Sequence, residues 1–165
     1  MRQQYTKIGL IIWLFVSQPF SFSASAESTT PTIPLAIDLK ADAQQQLNDK
    51  KVILLYVSAP HCAFCKKLEK EILSPLLISG EYNNRITLRK IDWSSSEELL
   101  DFDGNRIAAK ALLKQYAIQI TPTLLFLNGK GEEINERLLG YRGGEFYWYY
   151  FDVAIESSNR VLNNQ

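Results

Sequence analysis

Val52-Ile53-Leu54-Leu55-Tyr56-Val57 runs into Ser58-Ala59-Pro60-His61-Cys62-Ala63-Phe64-Cys65-Lys66, and the reading of the whole chain turns on this stretch. The first six residues are a short, unbroken apolar run rich in strand formers. Such a run fits a strand buried on both faces by covering helices. Pro60 breaks it, and Leu68, Ile72 and Leu73 then recur at helical spacing between Cys62 and Pro75. Two cysteines three apart therefore sit where a buried strand meets a helix. The helix start aims unpaired backbone N–H groups and a partial positive charge at Cys62. That field favours the thiolate, the species that attacks a disulfide. Cys62, ahead of the helix, is the expected nucleophile, and Cys65, one turn later and more buried, the expected resolving thiol. His61, if protonated, and Lys66 are expected to lower the thiol pKa further.

Outside this stretch the chain of 165 residues contains no further cysteine or histidine. Two cysteines build no multi-bridge scaffold. A disulfide that merely staples one turn stays open, although so short a loop gains little chain entropy. A metal site would start from His61, Cys62 and Cys65 and need a carboxylate such as Glu69 as its fourth ligand. Haem attachment needs a histidine directly after the second cysteine, where Lys66 stands. No metal and no small-molecule cofactor is expected. With 18 basic against 18 acidic residues there is no basic excess to suggest a nucleic-acid partner. A chain 46% hydrophobic and 22% charged is neither disordered nor a multi-span membrane protein.

Toward the N-terminus, Met1 to Ala26 is built like a secretory signal. Arg2 and Lys7 open it, Ile8 to Val16 is apolar, and Ala24-Ser25-Ala26 offers the small residues of a cleavage site. The apolar run ends at Ser17-Gln18-Pro19, short of the about 20 residues of a spanning helix. An uncleaved anchor stays open because Phe20 and Phe22 extend the apolar character; only then would the chain touch a membrane. Cleavage after Ala26 removes Arg2 and Lys7 and leaves a small acidic excess. The expected domains are a signal peptide (1–26), a linker rich in Ser, Thr and Pro (27–38), one folded domain (39–158) and a C-terminal tail (159–165). The expected location is across the inner membrane in the periplasm, where disulfides form and persist.

Within the domain, Ala41 to Asp49 favours helix, with Asp38 or Asp42 as cap. Arg85 to Trp93 alternates as a strand. Ser94 to Gly104 is polar and acidic, expected as a loop or a short helical insertion. Asn105 to Tyr116 carries Ile107, Ala108, Ala111 and Leu112 at helical spacing. Thr123 to Leu127 is a strand, Asn128-Gly129 a hairpin signal, and Glu133 to Leu139 its antiparallel partner. A last helix is expected from Glu145 to Ser157. The order α-β-α-β-α-β-β-α places helices on both faces of a mixed sheet.

The sequence resembles the thioredoxin superfamily from Leu39 to Ser157. The resemblance rests on Val52–Val57 running into Cys62-Ala63-Phe64-Cys65-Lys66, on Ile120-Thr121-Pro122-Thr123-Leu124-Leu125-Phe126 before Asn128-Gly129, and on the element order. It implies an α/β thioredoxin-like fold, a mixed central sheet flanked by helices, with an extra N-terminal helix. In that family the proline of the second motif is cis and lies beside the sulfurs. The implied residue is Pro122, with Thr121 presenting backbone groups to an extended substrate strand. Ala63-Phe64 and a threonine before the proline look like the catalytic domains of periplasmic disulfide isomerases and like secreted thiol reductases. The chain departs from the Trp-Cys-Gly-Pro-Cys of cytosolic thioredoxins, and Tyr56 stands where they carry a buried acid. Its histidine precedes Cys62, whereas disulfide oxidants place Pro-His between the cysteines. Glu27 to Leu39 is too short for the isomerases' dimerisation domain.

The expected function is a secreted thiol–disulfide oxidoreductase that reduces protein disulfides, Cys62 attacking and Cys65 resolving. Its partners are disulfide-containing proteins and a separate thiol electron donor, a membrane reductase being one option. With no third cysteine, electrons must come from another molecule. Isomerase or oxidase activity at the same site stays open. So does a non-enzymatic binding module that uses the aromatic run Phe146-Tyr147-Trp148-Tyr149-Tyr150-Phe151. That run is expected mainly as core, with some rings exposed. Asp101-Phe102-Asp103-Gly104-Asn105 is expected as an acidic turn, since position twelve of a calcium loop would be Leu112. Lys66, Lys67 and Lys70 form a solvated helical face.

Overall fold

The computed structural model describes residues 31–164, so the signal segment read in Met1–Ala26 lies outside the described residues. In chain order the elements are α1 (Leu39–Asp49), β1 (Val52–Ser58), α2 (Ala63–Leu68), a π-helical turn (Glu69–Leu73), α3 (Ser74–Ser79), β2 (Ile86–Asp92), β3 (Glu98–Leu100), β4 (Arg106–Ala108), α4 (Ala109–Gln115), β5 (Thr123–Leu127), β6 (Leu138–Leu139) and α5 (Gly144–Asn163). The main sheet has the order β2-β1-β5-β6. β1 runs parallel to β2 and antiparallel to β5, so the sheet is mixed. This is the expected architecture, with α1 as the added N-terminal helix.

β1 is buried along its whole length, and its side chains alternate between two cores. Val52, Leu54 and Tyr56 face Cys65, Leu68, Ile72, Phe151 and Ile155. Ile53, Leu55 and Val57 face Leu39, Leu112 and Leu113. Each such side chain withdrawn from water contributes about 1.5–3 kcal/mol, and that burial fixes the end of β1 where the cysteines follow. α1 is held by more than packing. Asp38 accepts the backbone N–H of Ala41 at 2.8 Å, which starts the helix at Leu39, two residues before Ala41. Asp42, almost wholly buried, takes Nε and Nη2 of Arg89 on β2 at 2.8 and 2.5 Å.

Five stretches differ from the sequence reading. The segment 33–38, expected as linker, is docked along β2. Ala36 donates to the Lys90 carbonyl at 2.8 Å and Lys90 to that of Pro34 at 2.7 Å, and Ile33 is buried. Pro75 does not end the second helix. It lies in the first turn of α3, where a missing N–H costs little, and the wide π turn before it resets the hydrogen-bond ladder. The stretch 94–108 is neither a loop nor the start of a helix but a small antiparallel hairpin, β3–β4. Leu99 anchors it in the second core, with Ile107 packed alongside, while Asp101 closes its acidic turn by accepting N–H groups of Asp103 and Asn105.

The partner of β5 shrinks from Glu133–Leu139 to Leu138–Leu139. Asn135 turns away to the Ala154 carbonyl on α5, and Arg137 pairs with Glu133 and the Tyr116 carbonyl. Finally, α5 runs on to Asn163, beyond Ser157 and into the expected tail, because Ser158 and Leu162 are buried against the core.

Candidate functional site

β1 ends at Ser58, and Pro60-His61 turns the chain into α2. His61 adopts a left-handed conformation, φ 58°, with its side chain exposed. This turn delivers Cys62 to the N-cap of α2, where its Sγ accepts the backbone N–H of Cys65 at 3.0 Å. A sulfur that caps a helix receives one of the unpaired amides and lies on the positive end of the peptide dipoles. Both effects favour a thiolate over a thiol there. Cys62 and Cys65 are joined, with an S–S distance of 2.04 Å and Cα atoms 5.2 Å apart.

The two sulfurs have different surroundings. Cys62 is half-buried, while Cys65 is 2% exposed and belongs to the first core. Before Cys62 lies the Ile120–Pro122 segment. The Thr121 hydroxyl donates to Cys62 Sγ at 3.6 Å, and the Thr121–Pro122 peptide bond is cis. Neighbouring hydrogen bonds hold this segment: Thr123 Oγ1 donates to the Ile120 carbonyl and Gly140 N to the Pro122 carbonyl, both at 2.8 Å. The structure thus brings Cys62, Cys65, Thr121 and Pro122 together. Phe64 in the first turn of α2 and Ile120 just before Thr121 are exposed apolar side chains. His61 and Lys66 flank the cysteines in sequence but are exposed, with no side-chain hydrogen bond or ion pair among the described residues.

Behind Cys65 lies a polar cluster that the sequence reading missed. The Tyr56 hydroxyl is 2.9 Å from Glu69 Oε1 and 3.4 Å from the Cys65 carbonyl. It has one proton for two acceptors, and the carboxylate is the closer. Lys90 Nζ donates to the same Oε1 at 2.6 Å. Burial, with the Glu69 carboxylate close by, raises the Tyr56 phenol far above its ordinary range, so it stays neutral. Two spacings foretell this cluster. Glu69 is four residues after Cys65, one turn along the same helix face, and Lys90 is the register partner of Tyr56 across β1 and β2. The carboxylate that a metal site would have needed is therefore turned toward Tyr56 and Lys90.

The aromatic run divides by face. Phe151 is buried, Tyr147 and Trp148 pack partly against the first core, and Phe146, Tyr149 and Tyr150 are exposed. Tyr147 stacks edge-on against Tyr141 at 4.9 Å, and its hydroxyl is buried without a hydrogen-bond partner among the described residues. Phe146 and Tyr150 line an open groove of about 590 Å³ with Leu139, Gly140 and Arg142.

Comparison with known proteins fits this arrangement. A family model described as a thioredoxin-like domain matches residues 39–154. No curated protein matches the chain. Among solved structures, a DsbH oxidoreductase aligns over 81% of this chain and 96% of its own, at 20% identity and a TM-score of 0.54. A thioredoxin from Thermus thermophilus aligns over 77% and 91%, at 20% identity and a TM-score of 0.52. At such identities the likeness is one of fold.

Proposed function

The chain belongs to the thioredoxin-like domain family and is a thiol–disulfide oxidoreductase, and from that premise we propose that it works outside the cytosol as a reductase of protein disulfides. The observation that carries this reading is the asymmetry of one bonded pair: Cys62 is half-exposed at a helix cap and Cys65 is buried behind it. In the reduced enzyme the Cys62 thiolate attacks one sulfur of a substrate disulfide. A mixed disulfide forms, and the second substrate sulfur leaves as a thiolate that takes up a proton. Cys65 then loses its proton and attacks Cys62 Sγ, so the Cys62–Cys65 bond forms and the first substrate sulfur is released. Two electrons pass from the enzyme to the substrate.

In this reading Thr121 and Pro122 position the substrate chain beside Cys62, with Thr121 also donating to its sulfur. Lys66, and His61 when protonated, are the nearby cations that favour the thiolate. A separate thiol protein, such as a membrane reductase, returns the electrons, since no third cysteine exists to do so. Met1–Ala26 acts as a signal cleaved after Ala26, which carries residues 27–165 to the periplasm.

Phe146, Tyr149 and Tyr150 supply a second, weaker reading. Large exposed rings on one helix suit a hold on protein partners, and we assign them to partner contact in addition to the redox site.

The test is the reduction potential of the Cys62–Cys65 pair, equilibrated against thiol buffers. Members of this superfamily span about −270 mV for reductants to about −120 mV for strong oxidants. A potential near the reducing end, with insulin reduction that disappears in Cys62→Ser, is the expected result. A potential near the oxidising end would reverse the direction of electron flow.

A further inference from the structure

We propose that a groove lined by Trp93 and α4 selects among protein substrates. It receives an extended segment with a large apolar residue about three positions from the reacting cysteine, next to an acidic residue. The proposal deepens the assignment of Cys62 as the attacking sulfur and rests on it. Trp93 follows β2, and its N–H donates to the carbonyl of Ser58 at 2.7 Å, at the end of β1 where the chain turns toward Cys62. α4 is followed by a left-handed Ala117, φ 49°, and the Ile118 N–H donates back to the Leu113 carbonyl at 3.1 Å. Between these ties lies an open groove of about 430 Å³, lined by Trp93, Lys110, Leu113, Lys114, Ile118 and Gln119.

The groove is continuous with the redox site. Ile118 lies three residues before Thr121, whose hydroxyl donates to Cys62 Sγ at 3.6 Å. At most about 10 Å of chain separates the two residues. A substrate strand rises about 3.3 Å per residue, so it spans the same distance in three residues. Exposed Ile120 lies between them in the chain and extends the apolar surface. Trp93 and Ile118 pack against the second core only in part, and both stay half-buried. A tryptophan in a concave site is the kind of residue that anchors a protein partner.

Charge decides what stands beside the apolar residue. Lys110 and Lys114 are one turn apart on the same face of α4, and like charges at that spacing repel. Both are exposed, and neither makes a side-chain hydrogen bond or ion pair among the described residues. None of the described residues that line the groove is acidic. A carboxylate brought by the substrate offsets the repulsion, and a cation adds to it. The groove lined by Phe146 and Tyr150 differs, because it carries Arg142 and Glu145 together and so favours neither sign. Contact at Trp93 and α4 holds the substrate near Cys62 and leaves the exchange chemistry unaltered.

The experiment mixes excess reduced full chain with symmetric disulfides of three short peptides and measures the freed thiol by chromatography after an acid quench. The first peptide has a phenylalanine three residues from its cysteine on both sides, each next to an aspartate. The second has lysines for the aspartates, and the third has serines for the phenylalanines. The first should react about ten-fold faster than the second at low salt, an advantage largely lost at about 0.5 M salt. It should also outrun the third about ten-fold. Rates are compared only between peptides on one variant, so a general loss of activity cancels. Lys110→Glu with Lys114→Glu should reverse the order of the first two peptides, whereas Lys70→Glu with Lys130→Glu, the same change of net charge elsewhere, should keep it. Trp93→Ala should bring the first and third peptides to similar rates; both exposed lysines can be replaced without touching the core, so the charge comparison stands if Trp93→Ala does not fold. Equal rates for all three peptides on the wild type overturn the proposal, as does an order that survives in the Lys110 and Lys114 variant or reverses in both charge variants. The disulfide of mercaptoethanol, small and neutral, tests Cys62 alone. If the wild type does not reduce it, the redox reading has failed, and this proposal with it.

Discussion

The two sulfurs of one disulfide occupy opposite kinds of environment, and the contrast suits the two different tasks proposed for a pair of identical residues. In front, Cys62 is half-open and touched by a backbone amide and a hydroxyl, groups that stabilise negative charge without demanding it. Behind, Cys65 is sealed under β1, beside the polar cluster of Tyr56, Glu69 and Lys90. In the proposed reaction, attack needs access to a large partner, and release needs only the neighbouring sulfur and a place for one proton. On that reading, burial is distributed according to the size of what each sulfur must meet.

The largest effect that can break this contrast comes from the cysteines themselves. Cys62→Ser should reduce insulin turnover to background, while Cys65→Ser should retain attack and trap substrate as a mixed disulfide visible on a non-reducing gel. Trapping by Cys62→Ser instead would exchange the two roles.

Next is the dryness of the rear side. Burial raises the phenols of Tyr56, Tyr147 and Tyr141 above their ordinary range, and Tyr116 likewise. For each, the folded chain holds the proton more tightly than the unfolded chain, whose pKa is about 10. The stabilisation is complete below that pH and is lost as pH rises above it toward the folded values. Part of the phenolate absorbance at 295 nm should therefore appear only together with loss of the circular-dichroism signal. Complete phenolate formation on an intact fold would show that the rear is wet.

A smaller effect belongs to the front. Thr121→Val removes the hydroxyl bond to Cys62 Sγ, worth about 1 kcal/mol, and should slow attack about five-fold at neutral pH with little change in melting temperature. The smallest is expected farther out. Phe146→Ala with Tyr150→Ala should raise KM for a folded protein substrate two- to three-fold, of the order of a fraction of one contact's energy. Reduction of a small disulfide should be unaffected, and an equal loss on both substrates would move those rings out of the partner surface.

The front of the site was legible in the sequence, and the rear was not. Val52–Val57, Cys62-Ala63-Phe64-Cys65 and Thr121-Pro122 are local signals, each contained in a few consecutive residues. The cluster behind Cys65 is assembled from β1, β2 and the π turn, and it exists only once register has paired Tyr56 with Lys90. Sequence reading registered Tyr56 where related chains carry a buried acid, but a carboxylate and an ammonium brought to it from two other elements leave no contiguous pattern. The same limit explains the β3–β4 hairpin. Leu99 and Ile107 look like isolated apolar residues in a polar stretch until the second core gives them something to bury against. Pro75 misled in the other direction, being a helix breaker that the preceding wide turn accommodates.

The docked segment 33–38 has a further consequence, for colloidal behaviour. An open sheet presents two rows of unpaired backbone groups, and long bare edges invite strands of other chains to add on. Here the β2 edge is occupied by the chain's own Pro34–Ala36, and the far edge, β6, is two residues long. Neither is a template of useful length. The proposed contact with protein substrates at Cys62 would therefore not be accompanied by strand addition at either edge of the main sheet.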